Sequence, residues 1–379
     1  VNDVIRSYKI KLYPTKEQEQ LMHKHIGCCR YIWNYMINLQ CSNYESGNKY
    51  MSAFTMINLL KPLKNDGEHK WLCEVSNQSL ATVCQDVDKA YQRLFKKQAK
   101  KPKFKSKKRS KQAFPVRGTI WFKDNVVTIE KLGKVKFKSD FEFPQGRGNK
   151  FTNTRISEIN GKWMLSFGME CENQAPELND YSMGIDLGVK DLAIAECNGQ
   201  IVFHNINKSK KMRALNKKLK HLQRAVSRKY EANKQGKKYI KTKNIEREEQ
   251  KVRNIHNRIS NIRNNYIHQC THALISMLPK RVVVEDLNVK GMMKNKYLSR
   301  AIQEQCFGEF LRQMQYKCEW NGIEFVMADR FYPSSKTCSC CGVVKTNLKL
   351  SDRIYRCESC GLVIDRDYNA AINLSRYVA

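Results

Sequence analysis

Apolar positions change their period several times along the chain, and each change marks an element. Residues 4–13 alternate apolar and polar over their second half, which predicts a strand. Pro14 and Thr15 follow, with Gln18 three residues after Thr15 in the arrangement of a capping box, so a helix is expected to start there. Leu21, Ile26, Trp33 and Ile37 continue it at helical spacing. Further helices are predicted over 52–61 and 77–100, the second capped by Asn77. From 114 to 172 the pattern becomes short β-rich runs at 118–122, 126–129, 135–137, 154–159 and 163–169. Asp-Asn, Leu-Gly and Asn-Gly pairs punctuate them, as in a small antiparallel barrel. The strand at 4–13 could complete that barrel, which makes the helical lobe an insertion.

The second half reads differently. Residues 174–180 look like a linker. Strands are predicted at 183–187, 192–197 and 200–204, with Asn198-Gly199 as a type I′ turn, giving a three-strand meander. Residues 208–278 look wholly helical. One apolar stripe runs through Leu215, Leu219, Leu222 and Val226; another runs through Val252, Ile255, Ile259, Ile262 and Tyr266. A polar stretch with Gly236 separates them, which predicts an antiparallel helical pair. In the segment 281–287, the continuous β-branched run Val282-Val283-Val284 suits a strand buried on both faces. A helix over 299–320 and a strand over 323–327 follow.

Composition narrows the class. The chain has 379 residues, 41% of them hydrophobic, enough for two to four domains with real cores. It holds no apolar run of eighteen and no signal-peptide pattern, so a soluble, cytoplasmic protein is expected, with no membrane partner. Lys and Arg number 69 against 36 acids, a net charge of +33. Self-repulsion of that size points to a polyanion partner. Ten of the sixteen residues from Lys96 to Lys111 are basic, which fits either a solvated linker or a phosphate-contacting arm. No acid occurs between Glu196 and Glu231, so the helix there is a candidate nucleic-acid face, with plain solvated charge as the alternative.

Of fifteen cysteines, five crowd between Cys338 and Cys360. Two Cys-x-x-Cys knuckles separated by fifteen residues match a zinc ribbon, with Cys338, Cys341, Cys357 and Cys360 as ligands and Cys340 as the spare. Four thiolates leave no open position, so the zinc is expected to be structural. The other ten, Cys28 through Cys318, read as ordinary small buried residues.

Three acids stand in apolar surroundings. Asp186 lies inside the run Met183–Leu187, and Glu285 lies at the C-terminal end of the β-branched strand. Asp367 precedes the stripe Ala370, Ala371 and Leu374 at a helix start, where Asp often serves only as an N-cap. Taken together, a first strand, two antiparallel neighbours, a buried strand and a terminal helix form the order that an RNase H-like fold uses to gather three carboxylates. Hard oxygen ligands there suit two Mg2+ ions for phosphodiester cleavage.

The motifs Gly184-Ile185-Asp186-Leu187-Gly188, Val284-Glu285-Asp286-Leu287, the cysteine ribbon and Asp365-Arg366-Asp367-Tyr368-Asn369-Ala370-Ala371 resemble the RuvC-type nuclease core of TnpB. TnpB proteins are transposon-encoded relatives of the type V CRISPR effectors. The resemblance covers nearly all of 181–379; the entry Pro14, Thr15, Gln18 and the β-rich segment 114–172 resemble the family less specifically. It implies an RNA-guided DNA endonuclease that pairs a guide RNA from the transposon end with target double-stranded DNA beside a short motif. It also implies catalytic roles for Asp186, Glu285 and Asp367, but not for Asp365. The implied architecture is multidomain α+β. A wedge-type β-barrel would comprise 1–13 and 112–175, with a helical recognition lobe at 14–111. A RuvC-like core would comprise 181–329 and 362–379, and a zinc-ribbon target-nucleic-acid-binding module 330–361. Two other readings share these motifs: a catalytically inactive guide-dependent repressor, and a guide-independent structure-specific nuclease or transposase accessory.

Overall fold

A capping box fixes the first long helix. In the computed structural model, which describes residues 4–378 apart from Thr119, Arg147, Asn173, Gln174, Leu350 and Ser351, the Thr15 side chain accepts from the Gln18 N–H. The Gln18 side chain accepts from the Thr15 N–H at 3.0 Å. The helix so started, α1 (Lys16–Glu45), follows strand β1 (Val4–Tyr13). Gln18 also donates to the carbonyls of Leu132 and Lys134. The helix start is thereby tied to the sheet that β1 joins.

The described residues of 4–172 and of 175–378 form two compact units. The first continues with α2 (Ala53–Asn58), α3 (Leu60–Asn65) and α4 (Asn77–Phe95). Six strands follow: β2 (Ala113–Pro115), β3 (Ile120–Lys123), β4 (Val126–Ile129), β5 (Gly133–Lys138), β6 (Phe151–Ile159) and β7 (Lys162–Cys171). They form a seven-stranded antiparallel sheet in the order β2-β6-β7-β1-β5-β4-β3. The leading strand therefore sits inside the sheet, between β7 and β5. Among the described residues no ladder joins β2 to β3. Ile10, Leu12, Phe122, Val135 and Phe167 of the sheet share one core with Met22, Ile32 and Met36 of α1 and Leu80, Val83 and Val87 of α4.

Three expectations change here, and one strand was not foreseen. The cap of α4 is Ser76, whose hydroxyl accepts from the Ser79 N–H, and Asn77 is the first helical residue. That helix stops at Phe95, because Lys97 takes a left-handed φ of 57°. The helix predicted over 52–61 breaks at Leu59. Pro62 cannot donate back to Asn58, and it is tolerated only in the first turn of a new helix. The three-residue β2 was too short to show a period.

The second unit opens with β8 (Asn179–Leu187), β9 (Asp191–Glu196) and β10 (Gln200–His204). Asn179 and Asp180, read as linker, already belong to β8, while Gln174 lies outside the described residues. Asn198 and Gly199 both have positive φ, as the predicted hairpin turn requires. Helices α5 (Lys210–Ala232) and α6 (Lys243–Ile275) pack through Leu215, Leu219, Ile255 and Ile259. Two-residue strands β11 (Lys234–Gln235) and β12 (Lys238–Tyr239) interrupt the stretch read as wholly helical, turning at Gly236. Strand β13 (Pro279–Glu285) lies between β8 and β14 (Glu324–Ala328), parallel to both, in the order β10-β9-β8-β13-β14. Val282, Val283 and Val284 are all fully buried, so both of its faces are covered.

Between these strands come α7 (Val289–Met292), α8 (Ser299–Gln305) and α9 (Phe307–Asn321). The helix predicted over 299–320 is two helices, divided at Cys306 with φ 56°. Buried Gln305 holds the break, donating to the carbonyls of Gly188 and Val189 just past β8. The chain ends with β15 (Ile354–Arg356), β16 (Val363–Asp365) and α10 (Arg366–Ser375).

Helix α10 lies directly on β8 at Gly184. A Cβ there would overlap the Ala371 carbonyl oxygen and the Ser375 nitrogen, and would sit 2.9 Å from the Leu374 carbonyl carbon. These are backbone atoms and cannot swing aside. Gly184→Ala is therefore expected to destabilise this unit by about 3 kcal/mol, read as a lower denaturant midpoint; an unchanged midpoint would remove the close contact from the account.

Candidate functional site

The three acids are brought together by strand register and one helix. Val284 pairs with Ile185 in the parallel ladder, so the next residues, Glu285 and Asp186, stand side by side at the C-terminal ends of β13 and β8. Gly184 and Asp186 are two apart and share a face, about 6.6 Å along the strand. Ala371, which touches Gly184, and Asp367 are four apart, about 6 Å along the helix. The two steps match, so the first turn of α10 arrives over Asp186.

Asp367 is free to take part because it is not the cap. Asp365 fills that place, accepting from the N–H groups of Asp367 at 2.9 Å and Tyr368 at 3.2 Å. Arg366 lies 3.3 Å from the Asp367 carboxylate, and the Ser334 hydroxyl donates to Glu285. Asp286, next along the strand, is paired with Arg330 instead.

All three acids are partly exposed at the sheet's end. Burial, then the charges of Glu285 and Asp367, push the Asp186 carboxyl well above the usual carboxylate range, with Arg366 opposing. Burial also raises Glu285, against the Ser334 hydrogen bond and together with Asp367. Crowded carboxylates whose ionised forms disfavour one another are a donor set that a hard divalent cation relieves, so the residues fit Mg2+.

The predicted zinc ligands also meet. The sulfurs of Cys338, Cys341, Cys357 and Cys360 all lie within 4.8 Å of one another. Cys338–Cys360 and Cys341–Cys357 are each 3.6 Å apart, close to the edge of a tetrahedron with about 2.3 Å metal–sulfur bonds. The four thiols share their protons unevenly: the backbone N–H of Cys360 draws the Cys357 thiol down to about 6, while against the Leu362 N–H the other three sulfurs push Cys360 up to about 12. Cys340 is exposed and outside the cluster. Of the other ten cysteines, Cys73 is exposed and Cys41, Cys171 and Cys306 are only partly buried.

The basic run is held, not loose. Trp33 donates from its indole to the Lys103 carbonyl at 3.0 Å, and Asn34 bonds both the carbonyl and the N–H of Lys105. The Lys105 ammonium sits 3.5 Å over the Trp33 ring. The other nine basic residues of 96–111 are exposed on this fixed strap. On α5, the lysines at 210, 211, 217, 218 and 220 face solvent.

Sequence reasoning missed the buried amides of α10. Asn369 donates to the Thr337 carbonyl and accepts from the Ser339 N–H. Asn373 donates to the carbonyls of Ser334 and Thr337. The available signal was their four-residue spacing, which puts two polar side chains on the apolar face of one helix.

A carboxyl whose acidity is weakened by folding costs stability wherever it is ionised in both states; the cost is full above its folded pKa and vanishes below its unfolded value. With a chelator present, Asp186→Asn is therefore expected to melt above the unmodified chain at neutral pH. The gain should fade as pH falls towards about 3.9; no gain at neutral pH would contradict the clustering. Cys357→Ser should lower zinc content from about one ion per chain to near zero, checked with a chromogenic chelator; retained zinc would overturn the ligand set.

Three family models match the chain: a helix-turn-helix domain at 2–49, "Probable transposase" at 166–296 and a Cas12f1-like TNB domain at 307–374. Within the first match the structure shows one strand and a single long helix. A protein of Streptomyces pristinaespiralis named as an RNA-guided DNA endonuclease is 30% identical over 99% of this chain and 89% of its own length. InsQ of Escherichia coli (strain K12), also named as an RNA-guided DNA endonuclease, is 30% identical over 98% of this chain and 91% of its own. Among solved structures, the mini-RNA-guided endonuclease CRISPR-Cas_phi3 aligns over 99% of this chain and 92% of that one, with a TM-score of 0.48 and 10% identity. Full-length identity to these relatives places the chain in their family: it belongs to the insertion-sequence OrfB proteins, the TnpB-like group.

Proposed function

We propose that this chain is an RNA-guided DNA endonuclease that cleaves phosphodiesters with the carboxylates Asp186, Glu285 and Asp367. The observation that carries the reading is the meeting of these three acids at one sheet end, each delivered by a different element. Full-length relatives named for the same activity support it. The meander β8–β10 beside parallel β13 and β14, with α10 closing over β8, is the arrangement expected of an RNase H-like, RuvC-type core.

In this reading the three carboxylates hold two Mg2+ ions. Bound there, magnesium supplies activation of water and neutralises charge that develops on the phosphate. The chain's own residues do the rest. The strand ends fix Asp186 and Glu285 in register, α10 sets Asp367 against them, and Arg366 offsets part of their charge. The four-thiolate ribbon holds zinc as a structural ion within the target-nucleic-acid-binding module.

Division of labour follows from charge. A guide RNA from the transposon end would read the target by base pairing, while the protein grips backbones and reads a short flanking motif. The strap at 96–111 and the solvent face of α5 are the fixed cation rows for those backbones. The first unit's sheet would then be the wedge-type barrel and its helices the recognition lobe. Retention of the full acid set speaks against an inactive repressor.

Replacing Asp186, Glu285 or Asp367 singly by Ala is expected to abolish target cleavage and leave binding of co-purified RNA intact. Cleavage that survives Asp367→Ala would remove it from the set. Protein free of RNA that still cuts junction DNA would sink the guided reading.

A further inference from the structure

We propose that Ser334 is a positioning residue for Glu285, and that Asn369 and Asn373 extend its hold to the first cysteine knuckle, so that ribbon and carboxylates move as one body. The inference rests on the nuclease reading for its consequence, but its geometry stands apart from it.

Glu285 is the last residue of β13, with a long side chain at an open strand end. Nothing in the strand itself fixes that carboxylate. Among the described hydrogen bonds the side chain that donates to it is Ser334, which is only 3% exposed.

That backbone is itself clamped. The Ser334 carbonyl accepts from Asn373 at 2.7 Å, and the Thr337 carbonyl accepts from Asn369 and Asn373, each at 2.7 Å. The Ser339 N–H donates to Asn369 at 3.0 Å, and the Ser339 carbonyl accepts from Arg376. Thr337 closes the turn on itself, its hydroxyl bonding the Pro333 carbonyl. The strap from 333 to 339 is thus bolted to α10 along its length. It carries the partner of Glu285 at one end and Cys338, of the four-sulfur cluster, at the other. The helix to which it is bolted carries Asp367. Asn369 and Asn373 are buried, at 0% and 5% exposure, so an amide that loses its carbonyl partner stays unpaired. Slack in the knuckle is therefore transmitted to the hydroxyl that sets Glu285.

Groups that orient metal-holding side chains typically change metal affinity or activity about ten- to a hundredfold when removed. The test uses the RNA-loaded protein with Ser334→Ala, Ser334→Thr and Asn373→Ala. Two quantities are read: Fe2+-generated hydroxyl-radical scission of the polypeptide beside the carboxylates, competed by Mg2+, and the Mg2+ dependence of single-turnover cleavage. Target binding and zinc content are measured alongside, and Asp186→Ala gives the scission background. With Fe2+ held below its own midpoint in each variant, Ser334→Ala and Asn373→Ala are expected to raise the Mg2+ midpoint of both curves about tenfold or more. Target binding and zinc content should stay unchanged, and Ser334→Thr, which keeps the hydroxyl, should restore the midpoint. An unshifted midpoint in Ser334→Ala, or a Thr variant as impaired as Ala, overturns the role of Ser334. An unshifted or unfolded Asn373→Ala assigns the clamp to the fold alone and overturns the coupling. Scission that responds to Ser334 in a protein that cuts no DNA would sink the nuclease reading and leave the positioning role standing.

Discussion

The contact between Gly184 and the backbone of α10 is the constraint on which the site depends. A helix normally stands off a sheet by the depth of two side-chain layers. Here one side chain is missing, and the helix backbone reaches the strand itself. That approach sets the height of the first helical turn above Asp186. Any residue larger than glycine would lift Asp367 from the other two acids while leaving all three in the sequence. The buried valines of β13 do the complementary work within the sheet, because strand pairing fixes Glu285 beside Asp186 only while β13 stays central.

The electrostatics pull in opposite directions at two scales. A net charge of +33 draws nucleic acid to the surface. At the sheet end the local sign reverses, and three acids face the phosphate they are proposed to cut. A polyanion gathered by the strap and α5 is therefore repelled at the place where chemistry would occur, unless divalent cations intervene. Under the proposed mechanism, substrate capture and cleavage competence would be separable by ionic conditions: monovalent salt would weaken the first, and chelation would remove the second.

What could be read from sequence were features that residues carry within a few positions of themselves. The Thr15–Gln18 box, the Asn198-Gly199 turn, the stripes of α5 and α6 and the cysteine spacing all have local causes, and each stands where it was expected. Errors arose where a distant partner decides, and at two local points, Pro62 and Ser76, where one residue outweighs its neighbours. The helix break at Cys306 depends on Gln305 reaching carbonyls more than a hundred residues away. The cap of α4 went to Ser76 and not to its neighbour. The strap that orients Glu285 has no local signature, since its donors lie on α10 and its acceptors are main-chain carbonyls. The three acids could be nominated by burial pattern and order; how they are held could not.

The competition for the start of α10 has a wider consequence. Asp365 alone takes up the N–H groups of Asp367 and Tyr368 at this terminus. That occupation liberates Asp367. Without Asp365, those N–H groups would lose their acceptor, and the helical turn that carries Asp367 would lose its anchor. A member of this family could thus be disarmed by a change at a residue that never touches substrate, and a census of intact acid triads would count it among the living.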